Sequence, residues 1–352
     1  MAEIKFMKGN EALAEAAIRA GLQGYFGYPI TPQSEVVEYL AMEEPKHRYV
    51  LIQAESEVAS ANMLYGASAA GARVMTTTSS PGFSLMQEGI SYIACAELPC
   101  VFVNVERGGP GLGTIQPSQG DYFQATKGGG HGDYHIIVFA PNSVQEMVDH
   151  CILAFELADK YRTPAMLLSD GAIGQMMEKV VLPKPIPYKP DKPWATTGKT
   201  PDRERNIITS LYIQSETMEA KNRVLQEKYK KIKENEVRFE EYQVEDAEFI
   251  ITAFGLTSRV SKKAVDLARE AGIKMGLFRP ITLWPYPEKR VAELAGREWV
   301  KFFLSVEMNT GQMVEDVRLG VSGQKPVYFY GRQGGIIPTP EEIVNAAREH
   351  IN

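Results

Sequence analysis

The feature that most restricts the fold of this chain is the alternation of short apolar runs with helical patterns over its first 180 residues. A helical pattern such as "GNEALAEAAIRAGL" (9–22) is followed by an apolar run, and the order then repeats. Short buried strands alternating with helices are typical of a parallel sheet covered on both faces. The pattern therefore predicts an α/β fold. The apolar runs are "GYFGYPI", "RYVLIQAES", "RVMTTTSS", "PCVFVNVE", "HIIVFAP" and "PAMLLSDG".

A change of composition divides the chain after this series. "VLPKPIPYKPDKPW" has five prolines in 14 residues and predicts an extended connector. The highly charged segment 215–243 has the pattern of a solvated surface helix, and a second strand–helix series begins at 247. We therefore predict a first domain over 1–185, a connector with a charged helix over 186–245, and a smaller α/β domain over 246–352.

Composition excludes several classes of function. The net charge of −6 gives no reason to expect nucleic-acid binding. No run approaches the ~20 apolar residues of a membrane span, and the N-terminus lacks the pattern of a signal peptide, so we expect a cytoplasmic protein. The three cysteines form no C-x-x-C pair, so we expect no iron–sulfur cluster or zinc site on this chain. His131, Asp133 and His135 lie on a glycine-rich loop, where we expect no metal either.

Polar side chains follow several of the predicted strands, and ligands of open α/β sheets bind beyond the carboxyl ends of strands. Two prolines stiffen the turn "PITP", which contains Thr31. Glu55 and Glu57 follow the second run, and Arg107 precedes a glycine-rich loop. Each has an ordinary structural explanation: a turn residue, a carboxylate at a helix N-terminus, or a surface ion pair. The glycine loop fits no nucleotide-binding fingerprint.

The combination of these segments is more specific. "GYPITPQSE", "QAESEVASANMLYGASAAGARVMTTTSSPGFSLMQEGISYIACAELPCVFVNVERGGPG" and "PSQGDYFQATKGGGHGDY" resemble the α-subunit, or pyrimidine-binding domain, of thiamine diphosphate-dependent 2-oxoacid:ferredoxin oxidoreductases. The resemblance continues through "FGLTSRVSKKAVDLAREAGIKMGLFRPITLWPYP" and "SVEMNTGQMVEDVR". It implies a parallel-sheet thiamine diphosphate-binding fold, followed by an α/β domain like the C-terminal domain of transketolase.

The resemblance also implies how the cofactor's pyrimidine ring is held. The family glutamate precedes a helix of small residues, and it matches Glu57 rather than Glu55. Its carboxyl group would hydrogen-bond the pyrimidine ring, so that the aminopyrimidine can act as the base that activates the cofactor. Tyr28, Pro29 and Ile30 would lie beside the ring.

The substrate side follows from the same resemblance. Thr31 and Arg107 would bind the carboxylate of the 2-oxoacid, because a guanidinium group can hold a carboxylate through two hydrogen bonds. The family's "GDG"-type motif for diphosphate and Mg²⁺ is missing, and we interpret "SDGAIG" (169–174) as unrelated to it. A partner β-subunit would supply Mg²⁺ and the diphosphate site. Further γ- and δ-type subunits would carry [4Fe-4S] clusters towards ferredoxin, and coenzyme A would accept the acyl group.

Three functions remain open at this point. The resemblance favours an enzyme subunit for branched-chain 2-oxoacids such as 2-oxoisovalerate. The first alternative is a 2-oxoglutarate-specific subunit, although no basic residue is evidently dedicated to a second carboxylate. The other is a non-catalytic assembly protein of the same fold, which loss of Glu57 or Arg107 would have favoured.

Overall fold

The computed structural model describes residues 3–188 and 191–351, which form 14 strands and 12 α-helices. The strands are β1 (Glu3–Lys8), β2 (Gly24–Gly27), β3 (Val50–Gln53), β4 (Val74–Thr78), β5 (Cys100–Glu106), β6 (Ile137–Phe139), β7 (Ala165–Asp170), β8 (Met177–Leu182), β9 (Phe239–Tyr242), β10 (Phe249–Thr252), β11 (Met275–Pro280), β12 (Thr282–Trp284), β13 (Phe302–Glu307) and β14 (Val327–Gly331). The helices are α1 (Gly9–Arg19), α2 (Ser34–Glu43), α3 (Glu57–Ala69), α4 (Ser80–Cys95), α5 (Tyr122–Thr126), α6 (Val144–Tyr161), α7 (Gly171–Gln175), α8 (Ser215–Asn235), α9 (Gly255–Glu270), α10 (Glu288–Ala295), α11 (Met313–Val321) and α12 (Pro340–Arg348).

Two mostly parallel sheets organise these elements. The larger sheet has the order β12-β6-β7-β5-β4-β2-β3, and only β12 runs antiparallel to its neighbour. The smaller sheet has the order β14-β13-β10-β11-β9, in which β9 is antiparallel. All residues of β4, β5 and β7 are buried because helices cover both faces of the larger sheet. The predicted α/β fold is confirmed.

Small residues and helix caps fix the helices that border the candidate site. A methyl group at Gly89 of α4 would lie 2.6 Å from the Cβ atom of Ala61 in α3, so glycine permits the close packing of the two helices. Helix α3 begins after Ser56, whose side chain accepts a hydrogen bond from the Ala59 amide (3.2 Å). This cap makes Glu57 the first residue of α3.

Four strands were not expected from the sequence, namely β1, β8, β9 and β12. Strand β1 pairs with β8 as a separate two-stranded antiparallel sheet. The predicted charged helix 215–243 ends early, and its last residues form β9. Strand β12 lies in the second half of the chain but adds to β6, at the edge of the larger sheet. The predicted helix extended over the residues of β9, so this strand was not predicted. The pairing of β12 with β6 is long-range, and the local sequence carries no signal for it.

The charged helix α8 is exposed on most of its surface, but one stripe is buried. Leu225, Tyr229 and Ile232 form this stripe. Lys228 donates a hydrogen bond to Glu97 (3.2 Å), and burial lowers the pKa of Lys228 to about 8.

Residues 189 and 190 of the predicted connector lie outside the described residues. No helix among those described is long and apolar enough to cross a membrane.

The structure has two units, one built on the larger sheet and the other on the smaller sheet. A loop of the first unit, between β5 and α5, joins them through buried hydrogen bonds. The side chain of Gln119 donates to the Phe254 carbonyl (2.7 Å) and accepts from the Met308 amide (3.0 Å). Asn309 donates to the carbonyl of Gln119 (2.7 Å). Glu307, two residues before Asn309, is completely buried and accepts five hydrogen bonds. They come from Ser305 and the Val314 amide on Oε1, and from Asn309 and the Gln312 and Met313 amides on Oε2.

Candidate active site

The carboxyl ends of β5, β4, β2 and β3 lie side by side because these neighbouring strands are parallel. The segments that follow them contain Arg107, Ser80, Thr31 and Glu57, respectively. The structure thus brings the ends of the four predicted strands to one edge of the sheet. This edge is where an open α/β sheet binds its ligand.

In the turn after β2, hydrogen bonds to backbone carbonyls fix the chain, while most of its side chains are exposed to solvent. Tyr28, Pro29 and Thr31 are exposed, and Ile30 is half-buried. Three side chains each donate a hydrogen bond to a different carbonyl of the turn. The donors lie before α2, after β5 and in α1. They are Gln33 Nε2 to Tyr28 O (3.2 Å), Arg107 Nη1 to Thr31 O (2.9 Å) and Asn10 Nδ2 to Pro32 O (2.8 Å).

Glu57 is buried without an internal partner. Its side chain is 5% exposed, and within residues 3–188 and 191–351 no group donates a hydrogen bond to its carboxyl oxygens. A methyl group at Gly82 would lie 2.4 Å from Glu57 Oε1, so the glycine gives this carboxyl group its space. Glu55 is exposed to solvent. Of the two carboxylates, only Glu57 is therefore buried.

Arg107 connects the turn to the glycine-rich loop. Its Nη2 atom donates to the Leu112 carbonyl (3.1 Å), in addition to the bond from Nη1 to Thr31. Its Nε atom is buried with no partner among the described residues. Ser80 Oγ accepts from the backbone amide of Arg107 (3.1 Å), and Ser80 and Gly82 belong to the same first turn of α4. That turn therefore touches both Arg107 and Glu57.

These residues fit the pyrimidine end of thiamine diphosphate. A buried carboxyl group with no donor from its own chain is suited to a hydrogen bond with a ring nitrogen. Apolar side chains suited to covering a ring or a second protein surface are exposed on β3, α3 and α4, namely Ile52, Val58 and Leu85.

The residues present do not fit the diphosphate end. Asp170 of "SDGAIG" is buried and accepts hydrogen bonds from the amides of Ala172 (2.8 Å) and Ile173 (3.2 Å), so it caps α7. In the part of the chain that the structure describes, no group of three or more His, Cys, Asp or Glu side chains could hold a metal ion. The ring of His135 stacks on Trp284, whereas His131 lies edge-on to Tyr92.

A cluster of buried carboxyl groups beneath the edge was missed by sequence reasoning. Burial raises the pKa of Glu106 well above its usual range, and the neighbouring Asp121 adds to this shift. Burial also raises the pKa of Asp121, and it raises the pKa of Asp170 to about 6. The only signal in the sequence was an acidic residue at the end of an apolar run, as in "VFVNVE" and "LLSD".

Gln33, Thr77 and Asn10 were also missed, although they shape the site. All three are completely buried. Gln33 belongs to the quoted turn "PITPQ", and Thr77 to the run "TTT". A polar residue within an apolar pattern was the available signal, but the pattern does not say which backbone carbonyl such a residue binds.

Comparison with known proteins assigns both units. Residues 15–246 match the family model described as pyruvate flavodoxin/ferredoxin oxidoreductase, thiamine diphosphate-binding, and residues 247–343 match pyruvate:ferredoxin oxidoreductase core domain II. The chain is 51% identical over 346 residues to ketoisovalerate oxidoreductase subunit VorB of Methanothermobacter marburgensis, covering 98% of this chain and 97% of that one. It is 38% identical over 372 residues to 2-oxoglutarate synthase subunit KorA of Methanothermobacter thermautotrophicus, covering 98% of both.

Solved structures agree with this assignment. The 2-oxoglutarate:ferredoxin oxidoreductase from Magnetococcus marinus, solved with 2-oxoglutarate, coenzyme A and succinyl-CoA bound, matches with a TM-score of 0.89 and 31% identity. The match covers 99% of this chain, which spans only 65% of that chain. A split-gene transketolase matches with a TM-score of 0.59 and 13% identity over 98% of both chains, which shows similarity of fold alone.

Proposed function

The chain belongs to the pyruvate flavodoxin/ferredoxin oxidoreductase family and is a subunit of a 2-oxoacid:ferredoxin oxidoreductase, and we propose that its complex oxidises a branched-chain 2-oxoacid. The products are the acyl-CoA, CO₂ and reduced ferredoxin. The greater identity to a ketoisovalerate subunit than to a 2-oxoglutarate subunit supports this substrate class over 2-oxoglutarate.

The observation that carries the catalytic role is the donor-free carboxyl group of Glu57 at the edge that also bears Arg107 and Thr31. Bound thiamine diphosphate supplies a nucleophilic carbon for the keto group of the substrate and accepts the electrons left by decarboxylation. Glu57 would bind the pyrimidine ring nitrogen, with Tyr28, Pro29 and Ile30 beside the ring.

Arg107 and Thr31 would bind the substrate carboxylate. Each terminal nitrogen of Arg107 donates one N–H to a backbone carbonyl and keeps a second N–H. The hydroxyl group of Thr31 is presented by an exposed side chain on a turn whose backbone is bound. Guanidinium N–H groups and a hydroxyl group are donors that bind a carboxylate through charge-assisted hydrogen bonds.

The remaining parts of the reaction belong to partners in this proposal. The missing diphosphate motif supports a β-subunit that brings Mg²⁺ and the diphosphate site. Other subunits carry [4Fe-4S] clusters that pass the two electrons singly to ferredoxin. The three cysteines form no disulfide, which favours a reducing compartment, and we include the cytoplasm in the proposal.

Reconstitution tests the proposal. The chain alone should reduce neither ferredoxin nor a viologen dye in the presence of 2-oxoacid and coenzyme A. The complex should be active, with kcat/KM for 2-oxoisovalerate at least ~10-fold above that for 2-oxoglutarate. A reversed preference would assign the 2-oxoglutarate alternative. A complex that turns over no 2-oxoacid would favour the assembly protein, and activity of the isolated chain would contradict the shared site.

A further inference from the structure

The turn Tyr28–Pro32 is supported from below by a line of three buried polar side chains. The hydroxyl groups of Tyr25 and Thr77 are 2.7 Å apart, Thr77 Oγ1 donates to Gln33 Oε1, and Gln33 Nε2 donates to the carbonyl of Tyr28 (3.2 Å). Tyr25, Thr77 and Gln33 are all completely buried. They come from β2, β4 and the residue before α2, so the line connects the sheet to the turn.

The direction of each hydrogen bond follows from chemistry. Rotating the Gln33 amide by 180° would set its oxygen against the carbonyl oxygen of Tyr28, so Nε2 must face Tyr28. Gln33 Oε1 then accepts the only proton of Thr77, and Tyr25 must donate to Thr77. Burial raises the pKa of Tyr25, so this donor keeps its proton. All three hydrogen bonds run one way and end at the turn.

Gly27 supplies the space that this arrangement needs. A methyl group at Gly27 would lie 2.5 Å from the hydroxyl oxygen of Tyr25, so the tyrosine ring crosses the end of β2 directly over a glycine. The ring therefore reaches Thr77 only because the residue before Tyr28 has no side chain.

We propose that Tyr25, Thr77 and Gln33 form a positioning relay that sets the backbone of Tyr28 for cofactor binding. This inference rests on the proposed function, in which Tyr28 to Ile30 lie beside the pyrimidine ring. The relay touches neither cofactor nor substrate. It acts through the Tyr28 carbonyl, and its loss leaves an unpaired buried donor or acceptor beneath the site.

Thr77→Val tests the relay because valine keeps the shape of threonine and removes the hydroxyl group. In the reconstituted complex, calorimetric titration should give a thiamine diphosphate Kd about tenfold weaker than wild type, the scale of one buried hydrogen bond. Thr77→Ser should restore the Kd to within about threefold. Tyr25→Phe should have a smaller effect, because Thr77 can still donate to Gln33. The KM for 2-oxoacid should change less than the cofactor Kd.

Thr76→Val is the matched control on the same strand. Thr76 is also completely buried, but its hydroxyl group has no partner among the described residues, so its removal should leave the cofactor Kd unchanged. Thermal unfolding of each variant measures any general loss of stability.

Two outcomes would overturn the relay: a Kd for Thr77→Val within about twofold of Thr76→Val, or equal weakening by Thr77→Val and Thr77→Ser. These results are distinguishable from failure of the proposed function. If the wild-type complex turns over no 2-oxoacid, the calorimetric Kd values still test the relay. If Thr77→Val binds normally while the wild-type complex is active, only the relay is wrong.

Discussion

The candidate site and the junction between the two units each contain a buried glutamate, and the two differ in their hydrogen bonds. Glu307 at the junction accepts five hydrogen bonds, two on Oε1 and three on Oε2. No described residue donates to the carboxyl group of Glu57. A carboxyl group on a residue that is only 5% exposed and that accepts no internal hydrogen bond can accept one from a bound ligand. The hydrogen bonds of Glu307 are complete within the described residues, whereas the carboxyl group of Glu57 accepts none from them.

The largest effect should follow from changing Glu57. In the reconstituted complex, Glu57→Gln should lower turnover by ~10²-fold or more, because an amide cannot exchange a proton with the pyrimidine ring. The measurement is the rate of ferredoxin or viologen reduction with 2-oxoisovalerate and coenzyme A. Glu55→Gln is the matched control, since Glu55 is exposed two residues earlier. A near-normal rate for Glu57→Gln would move the role to another residue.

A loss of stability should follow from the same substitution at the junction. Glu307→Gln should lower the free energy of unfolding by about 2–4 kcal/mol, because glutamine replaces one carboxyl oxygen by an NH₂ group. Both oxygens accept hydrogen bonds, so the new N–H groups would face the donors of the oxygen that was lost. Denaturant unfolding of the isolated chain measures this. The stability of Glu57→Gln should stay within about 0.5 kcal/mol of wild type, since no internal hydrogen bond is lost. Equal losses in the two variants would break the comparison between the regions.

Asp170 is an intermediate case, with backbone donors from Ala172, Ile173 and Leu256 and a pKa raised to about 6 by burial. The folded state therefore binds more protons than the unfolded state between about pH 4 and 6, so this group's contribution to stability falls as pH rises through that window. Asp170→Asn keeps the helix cap and removes the titration. Relative to wild type, the free energy of unfolding of this variant should be about 1–2 kcal/mol higher at pH 7.5 than at pH 4.5. An equal change at both pH values would contradict the assigned cause.

The sequence predicted the strand–helix series well because its signals are local. The run "CVFVNVE" is mostly apolar, and β5 indeed covers Cys100–Glu106, with all of its residues buried. Glu57 could be proposed because it follows a predicted strand and because the resemblance matches it to the family glutamate that precedes a helix of small residues. The five bonds of Glu307, the backbone contacts of Arg107 and the relay through Thr77 could not be predicted. The bonds from Arg107 to Thr31 and from Thr77 to Gln33 join residues far apart in the chain, whereas those of Glu307 are local and depend on the turn between β13 and α11. In each case, the choice of carbonyl or amide depends on the completed fold.

The pairing of β12 with β6 has a consequence for how the larger sheet can associate. An unpaired edge strand offers free N–H and C=O groups to any other strand, and β12 occupies the β6 edge with residues from the second half of the chain. The opposite edge, β3, has no strand beyond it among the described residues, and Val50 and Ile52 are exposed there. The two edges of the larger sheet therefore differ in access: the edge strand β12 is completely buried, whereas the edge strand β3, on the side that carries Glu57, is mostly exposed to solvent.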